Sequence, residues 1–323
     1  MMILLVVPDP DSSPKGRAVT AERWAELLTG LGHDVVAVSE HDGRSGDVLV
    51  ALNAVRSAKA IEDYCTQRPG APVVLALTGT DIYGYGDLFG DLERDLALKA
   101  MDSASHLVVF QPLSAELVPE NMRSKIKVIY PSAAVSGEGE EGQGTGFDVC
   151  VVGDLRPFKD PFRTALAARR LPPTSAVRVL HLGRVPSEAI AERAATEEKA
   201  NRRYSWLGEV PHNEAMRLMA RCKLLVISSH YEGGANVIAE AIAAGVPILA
   251  SEIPGNIGIL GRAYAGYFPV GDTEALAALL ERAEDDPEFY TRISEQCQAI
   301  RSMLDPTRES RAWKEILDSL SLG

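Results

Sequence analysis

Two glutamates, Glu232 and Glu240, flank a run of small residues that could bind a phosphorylated ligand. The apolar run 223–228 before them predicts a buried strand, and Gly233-Gly234 then leads into a helical pattern. A strand that passes through a glycine turn into a helix aims backbone N–H groups at an anion and lets it approach closely. If both carboxylates lie on this helix, about 12 Å separates them along its axis. That spacing suits a sugar at one carboxylate and a ribose at the other, with a diphosphate between them.

A simpler alternative is that Glu232 only favours a helix N-terminus and Glu240 is solvated. The surrounding residues favour ligand binding, because the segment resembles the E-x7-E region of retaining GT-B-fold glycosyltransferases, which use nucleotide sugars. The resemblance implies that Glu232 contacts the donor sugar as one of the catalytic residues, and that Glu240 holds the ribose hydroxyls. It also implies that backbone amides between them contact the sugar and the phosphate. These amides belong to Gly233, Gly234, Ala235, Asn236 and Val237.

A second segment, 153–159, resembles the family's G-R-L-x-x-x-K motif, in which an arginine and a lysine bind the donor diphosphate. Lys159 occupies the lysine position, whereas Asp154 stands in place of the usual arginine and Arg156 follows two residues later. Two cations would stabilise the negative charge that develops on a departing diphosphate, so Arg156 and Lys159 are predicted to be catalytic. The alternative for Arg156 is a solvated surface cation. The resemblance also implies that Gly153 and Gly208 bind substrate.

Composition limits the class of protein. The chain of 323 residues suggests roughly two domains, and its net charge of −12 argues against a nucleic-acid or membrane partner. The apolar start of the chain reads as a first strand rather than a signal peptide, and no apolar run approaches a membrane span. The four cysteines form no C-x-x-C pair, which favours buried thiols in a reducing cytoplasm. We therefore expect a cytoplasmic protein.

Strand-like runs alternate with helical patterns along the whole chain, which predicts an α/β protein with parallel sheets. Together with the GT-B resemblance, this implies two doubly wound Rossmann-like domains facing across a cleft. We expect an N-terminal acceptor-side domain over 1–135, a Gly/Glu-rich linker over 136–146 and a nucleotide-sugar-binding domain over 147–304. A terminal helix within 305–323 is expected to cross back to the first domain. Its apolar face is predicted to contain Trp313, Ile316, Leu317 and Leu320. Strands are predicted at 3–7, 35–39, 48–52, 73–77, 107–110, 127–129, 149–152, 177–182, 204–207 and 223–228, and helices include 20–31, 57–67, 88–104 and 305–320.

Small polar and basic residues follow the predicted strands of the first domain, which suits a small anionic acceptor. Gly16 and Arg17 precede the first helix, where a helix N-terminus could hold an anion, and Arg56 follows the third strand. The fourth strand ends without a histidine base, in a turn that could also bind the acceptor, formed by Thr78, Gly79, Thr80 and Asp81. No histidine has metal-ligand spacing, and Asp9-Pro10-Asp11 is typical of a turn. We therefore expect no metal and no cofactor.

These features are similar to the selenosugar synthases of selenoneine biosynthesis, a family that joins a nucleotide sugar to selenophosphate. The similarity covers most of the chain, including 50–57, 77–81, 155–161, 206–209 and 232–237. It implies a UDP-sugar donor, typically UDP-N-acetylglucosamine, a selenophosphate acceptor and formation of a carbon–selenium bond. A selenophosphate anion is a strong nucleophile and does not need the base that a sugar hydroxyl needs.

Three alternatives stay open on the sequence. An ordinary GT-B glycosyltransferase with a small hydroxyl acceptor would share the donor half of the chain. A UDP-sugar epimerase or hydrolase could use the same fold. A non-enzymatic nucleotide-sugar sensor would bind the donor without turnover.

Overall fold

The computed structural model describes residues 1–8, 15–83, 90–134 and 146–321, with only the backbone at 15 and 321. The Asp9-Pro10-Asp11 segment, for which a turn was predicted, and nearly all of the predicted linker lie outside these residues. The chain forms two compact units. The first contains Met1–Ser132, Glu232–Asn236 and Leu304–Gly323, and the second contains Ala133–Tyr231 and Val237–Met303. The segment Glu232–Asn236 therefore belongs with the first unit, although the residues on both sides of it belong to the second.

The first unit contains a parallel six-stranded sheet in the order β2-β1-β3-β4-β5-β6. Its strands are β1 (Met2–Val6), β2 (Asp34–Val38), β3 (Val48–Leu52), β4 (Val73–Leu77), β5 (His106–Val109) and β6 (Ile126–Val128). The predicted strands are confirmed to within one residue, because continuous apolar runs are buried on both faces of a parallel sheet. The strand order reverses between β1 and β3, and loops at the carboxyl ends of such strands bind ligands in doubly wound folds.

The second unit contains another parallel six-stranded sheet, in the order β12-β11-β10-β7-β8-β9. Its strands are β7 (Phe147–Val152), β8 (Val177–Leu182), β9 (Tyr204–Gly208), β10 (Leu224–Ile227), β11 (Ile248–Ser251) and β12 (Tyr267–Phe268). The order reverses between β7 and β10, so the loops after these two strands lie at the topological switch point.

Helices connect the strands in both units. They are α1 (Lys15–Gly30), α2 (Ala58–Gln67), α3 (Thr80–Tyr83), α4 (Asp91–Ser103), α5 (Arg163–Ala168), α6 (Glu188–Ala200), α7 (His212–Ala220), α8 (Asn236–Ala243), α9 (Pro254–Leu260), α10 (Thr273–Asp285), α11 (Pro287–Ala299) and α12 (Pro306–Ser321). Short 3₁₀ helices span Pro112–Leu117, Glu120–Lys125, Pro157–Lys159 and Arg301–Leu304. Among the described residues, none of the helices is long and apolar enough to span a membrane.

The helix α1 starts about five residues before the predicted position near Thr20. The hydroxyl of Thr20 donates to the carbonyl of Gly16 at 3.0 Å, one turn back inside the helix. Threonine can satisfy its hydroxyl in this way in a helix interior, so a polar residue at this point does not mark the helix start.

The helix α12 packs into the core of the first unit. Trp313, Ile316 and Leu317 are fully buried there, and Leu320 packs against the same cluster, so the predicted apolar face is confirmed. The ring of Trp313 meets that of Trp24 on α1 edge to face, with centroids 4.7 Å apart and an interplanar angle of 75°. Aromatic pairs favour this geometry, which adds to the free energy gained by burying the rings.

The second unit contains a buried histidine in β8. The Nε2 atom of His181 lies 3.3 Å from the carbonyl oxygen of Gly153, and Nδ1 lies 3.1 Å from the hydroxyl of Tyr204. The two contacts suit a neutral ring that donates from Nε2 and accepts at Nδ1. Burial lowers the pKa of His181 to about 4, against an opposing effect of the Gly153 carbonyl. His181 is therefore a packed residue of the interior.

Replacing Trp313 by alanine should lower the free energy of unfolding by roughly 3–5 kcal/mol, because it leaves a cavity beside Trp24. The neighbouring Lys314 is an exposed residue whose ion pair with Asp318 lies at the surface. Lys314→Ala is therefore the matched control, with an expected loss below about 0.5 kcal/mol. Urea unfolding followed by circular dichroism measures both variants. Equal stabilities of the two variants would contradict the packing described for α12.

The free energy of unfolding should fall as the pH drops from 6.5 to about 4, because His181 binds a proton in the unfolded chain at a higher pH than in the folded one. Above pH 6.5 this stabilisation by the neutral ring of His181 is fully present. As the pH falls to about 4, the free energy of unfolding decreases by roughly 3 kcal/mol. Urea unfolding over this pH range should show a smaller decrease in His181→Gln than in the native chain. An NMR titration of the native chain tests the same point directly, and an imidazole that protonates near pH 6.5 would contradict it.

Candidate functional site

The carboxyl ends of β7, β8 and β9 meet at three glycines, Gly153, Gly183 and Gly208. The amide of Gly153 donates to the carbonyl of Leu182 at 2.8 Å, and the amide of Gly183 donates to the carbonyl of Gly208 at 2.8 Å. A Cβ atom on Gly183 would lie 1.9 Å from the carbonyl oxygen of Gly153, so a side chain there would collide with the neighbouring turn. Gly153 and Gly208 were predicted site residues, whereas Gly183 was missed even though it also directly follows a predicted strand.

The loop after β7 is held against the loop after β10, at the switch point of the second sheet. The hydroxyl of Ser228 donates to the carbonyls of Lys159 and Asp160 at 3.1 and 2.9 Å. The amide of His230 donates to the carbonyl of Phe158 at 2.8 Å. The rings of Phe158 and Tyr231 stack with their centroids 5.0 Å apart. These contacts fix the backbone that carries Lys159, one of the predicted catalytic residues.

The carboxylate of Asp154 lies close to two arginine side chains near this loop. Its Oδ2 atom lies 3.7 Å from Nε of Arg156 and 3.5 Å from a guanidinium nitrogen of Arg184. The side chain of Arg156 is 26% exposed. Arg156 is therefore ion-paired and partly covered, and its catalytic role stays a prediction.

Glu240 lies on α8 in the second unit and is also mostly covered. Its side chain is 10% exposed, and its Oε1 atom accepts a hydrogen bond from Nε2 of His212 at 2.9 Å. His212 is the first residue of α7, four residues after the end of β9. The alternative in which Glu240 is solvated is therefore wrong. The contact with His212 was missed in the sequence, because nothing in the local pattern connects the two positions.

The helix that carries Glu240 begins at Asn236, so Glu232 lies in the segment before it. The expected axial spacing of about 12 Å on one helix does not apply to this pair. Glu232 is buried in the first unit, near Tyr83. Burial raises the pKa of Tyr83 to about 12, with the hydroxyl of Ser114 lowering it and the negative charge of Glu232 raising it further.

Gly233 and Gly234 pack tightly against other residues of the first unit. A Cβ atom on Gly233 would lie 2.8 Å from the amide nitrogen of Gly79, and one on Gly234 would lie 2.3 Å from Cβ of Phe110. The hydroxyl of Ser114 donates to the carbonyl of Gly233 at 3.4 Å. A side chain at either position would therefore collide with other parts of the chain, which is a reason for glycine that the sequence did not show. That the amides of Gly233 and Gly234 contact the donor stays a prediction.

Asn236 fastens the end of this segment to α1. Its Nδ2 atom donates to the carbonyl of Gly16 at 3.0 Å and to the hydroxyl of Thr20 at 2.9 Å, and its Oδ1 atom accepts from Arg23 at 3.2 Å. Arg23 in turn is paired through Nε with Oε2 of Glu309 at 2.8 Å. The predicted residues Gly16 and Asn236 are thus brought together, and the side chain of Asn236 is engaged by the protein itself.

Glu309 is a buried carboxylate with several donors. Beside Arg23, it accepts from Nε1 of Trp24 at 2.6 Å and from the amide of Ser132 at 3.1 Å, and the Ser132 hydroxyl also bonds to it. A buried carboxylate is stable only when its oxygens are satisfied in this way. Arg23 and Glu309 were not among the predicted site residues, since 286 positions separate them in the sequence.

Asp81 is fully buried at the carboxyl end of β4. Its carboxylate accepts from the amides of Ala54 and Thr78, each at 2.8 Å, which ties together the loops after β3 and β4. Burial raises its pKa, and these backbone hydrogen bonds oppose the shift. The prediction that Asp81 binds the acceptor is therefore corrected to a role in shaping the loop. Gly79, whose α-carbon faces Gly233, likewise packs against the chain itself.

The other predicted acceptor residues lie in the same unit as Asp81. Asn53 donates from Nδ2 to the hydroxyls of Thr78 and Thr80 at 3.0 and 3.2 Å. Arg56 is exposed in the loop after β3, and its amide donates to Oδ1 of Asn53 at 3.1 Å. Arg17 is half-buried in the first turn of α1.

The two remaining predicted positions follow the glycines: Ala235 is buried in the first unit, and Val237 lies in the first turn of α8 in the second. Among the described residues, no cluster of three or more histidine, cysteine, aspartate or glutamate side chains could hold a metal ion.

Comparisons with known proteins agree with this architecture. A family model described as glycosyl transferases group 1 matches residues 138–299. Glycogen synthase of Mycobacterium tuberculosis is 30% identical over 207 residues, covering 53% of this chain and 48% of that protein. The chain thus spans about half the length of the curated relatives that it matches.

Solved structures resemble the chain over nearly its whole length. HepE of Anabaena, in complex with UDP and glucose, has a TM-score of 0.80 at 19% identity, covering 99% of this chain and all of that one. Sucrose-phosphate synthase of Thermosynechococcus elongatus has a TM-score of 0.80 at 13% identity, covering 100% and 99% of the two chains. These likenesses confirm the predicted α/β GT-B fold. With the family match over half of its length, the chain belongs to the group 1 family of glycosyl transferases.

Proposed function

We propose that this chain is a glycosyltransferase that moves a sugar from a UDP-sugar to selenophosphate. UDP-N-acetylglucosamine is the expected donor, from the resemblance to selenosugar synthases. The observation that carries the donor part is the covered carboxylate of Glu240, which is fixed by His212 in the unit that also carries Arg156 and Lys159. The family match and the UDP and glucose bound to HepE support it.

Each part of the UDP-sugar has a candidate binding group in the protein. Glu240 would accept hydrogen bonds from the ribose hydroxyls. The N-terminal turn of α8 has backbone N–H groups without partners inside the helix, which favours a phosphate there. Arg156 and Lys159 would stabilise the charge on the departing diphosphate. Glu232, which is buried beside Tyr83, is proposed to contact the donor sugar.

The acceptor part rests on the loops at the carboxyl ends of β3 and β4. The exposed cation of Arg56 and the hydroxyls of Thr78 and Thr80 would suit a small dianion. Selenium would form a bond to the anomeric carbon while the bond from that carbon to the diphosphate oxygen breaks, and UDP leaves with the electron pair. Since selenophosphate is already an anion, the proposal needs no general base.

The proposal includes no metal and no cofactor, because Arg156 and Lys159 would supply the positive charge that a metal ion supplies elsewhere. The cytoplasmic location and the absence of nucleic-acid and membrane partners stay predictions from the sequence.

The protein should convert UDP-N-acetylglucosamine and selenophosphate into UDP and a selenium-containing sugar, in the presence of EDTA as well as without it. Mass spectrometry checks this through the selenium isotope pattern of the product. Transfer to a hydroxyl acceptor but not to selenophosphate would support an ordinary glycosyltransferase. A changed or hydrolysed sugar with donor alone would indicate an epimerase or hydrolase, and UDP-sugar binding without any turnover would indicate a sensor.

Glu240→Gln should weaken UDP binding by roughly ten- to a hundredfold, because a charge-assisted hydrogen bond to ribose contributes about 1.5–3 kcal/mol. Isothermal calorimetry measures the affinity, and Glu274→Gln, an exposed glutamate of the same unit, is the control. A folded Glu240→Gln protein with native UDP affinity would refute the ribose assignment.

A further inference from the structure

Two neighbouring turns of the second unit bring an arginine to the predicted diphosphate segment. The amide of Leu155 donates to the carbonyl of Arg184 at 2.9 Å, and the amide of Arg184 donates to Oδ1 of Asp154 at 3.3 Å. Gly183, directly before Arg184, packs against the backbone of Gly153. The turn after β8 is therefore fixed to the turn after β7 by backbone contacts, which set where the side chain of Arg184 starts.

The side chains of Arg156, Arg184 and Asp154 form a cluster at these turns. Oδ2 of Asp154 lies 3.5 Å from Arg184 and 3.7 Å from Arg156, so one carboxylate oxygen has two guanidinium groups beside it. The side chain of Asp154 is only 13% exposed, so this carboxylate is mostly covered. A phosphate beside the partly exposed Arg184 would be attracted by the positive charge of its guanidinium group.

The exposure of these side chains suits a ligand. Arg184 is 35% exposed and Arg156 is 26% exposed, so both reach solvent while their neighbours restrict their motion. A guanidinium group offers several N–H donors in one plane and binds phosphate oxygens with two parallel hydrogen bonds. The guanidinium group of Arg184 is thus accessible to a phosphate-bearing ligand.

We propose that Arg184 binds the diphosphate of the nucleotide-sugar donor, taking the place of the arginine that Asp154 replaces in the sequence. Asp154 then acts as a positioning residue that holds the guanidinium group at the carboxyl ends of β7 and β8. This inference rests on the proposed UDP-sugar donor and adds a binding residue to it. It also explains why a carboxylate occupies a position next to the predicted anion site.

The test compares UDP with uridine, which lacks the phosphates. Arg184→Gln should weaken UDP binding by at least tenfold and change uridine binding by less than twofold. Calorimetry measures UDP, and ligand-observed NMR measures uridine at millimolar concentration. Thermal melting checks that the variant is folded.

The same strands supply a matched control. Arg178 on β8 pairs with Asp148 on β7 at 2.7 Å, at the amino-terminal half of both strands. Arg178→Gln therefore removes a comparable interstrand ion pair and should leave the affinity for UDP unchanged.

Native UDP affinity in Arg184→Gln would overturn the inference and leave the proposed donor intact. An equal loss for UDP and uridine would also overturn it, because it would show a general distortion of the site. If the native chain does not bind UDP at all, both the inference and the proposed function are wrong.

Discussion

The arrangement of the first unit depends on the hydrogen bonds that the buried carboxylate of Glu309 accepts. It joins α12 to Arg23 and Trp24 on α1 and to Ser132 after the last strand of that sheet. Through Arg23 it also reaches Asn236, the last residue of the short segment that carries Glu232. Removing one partner of a buried, hydrogen-bonded ion pair leaves an uncompensated charge, so this network favours one arrangement of all four segments.

The sequence predicted the sheets well because the physical signal is strong and local. Runs such as 48–52 and 73–77 consist only of apolar residues, which a parallel sheet covered on both faces requires. The apolar face of α12 was visible for the same reason, through its helical spacing. The start of α1 was less visible, since Lys15, Gly16 and Arg17 carry no apolar signal and Thr20 satisfies its own hydroxyl inside the helix.

The contacts of the candidate site were harder to predict because most of them join distant parts of the chain. Gly233 resembles a ligand-binding glycine in the sequence, and its close approach to Gly79 adds a structural reason for its size that only the fold reveals. Asp81 resembles an exposed polar residue, yet its carboxylate holds two loops together. Arg184 and His212 follow strand ends, where function is common, but their partners Asp154 and Glu240 are set by tertiary packing.

The first unit is formed by three separate stretches of the chain, which affects how it folds during synthesis. On the ribosome, residues 1–132 emerge roughly 170 residues before α12, a delay of about 9 to 35 seconds at ~5–20 residues per second. During that interval Trp24 lacks the ring of Trp313 and the carboxylate of Glu309. During this interval the nascent sheet therefore exposes an apolar surface. Chaperones that bind emerging chains recognise surfaces of this kind.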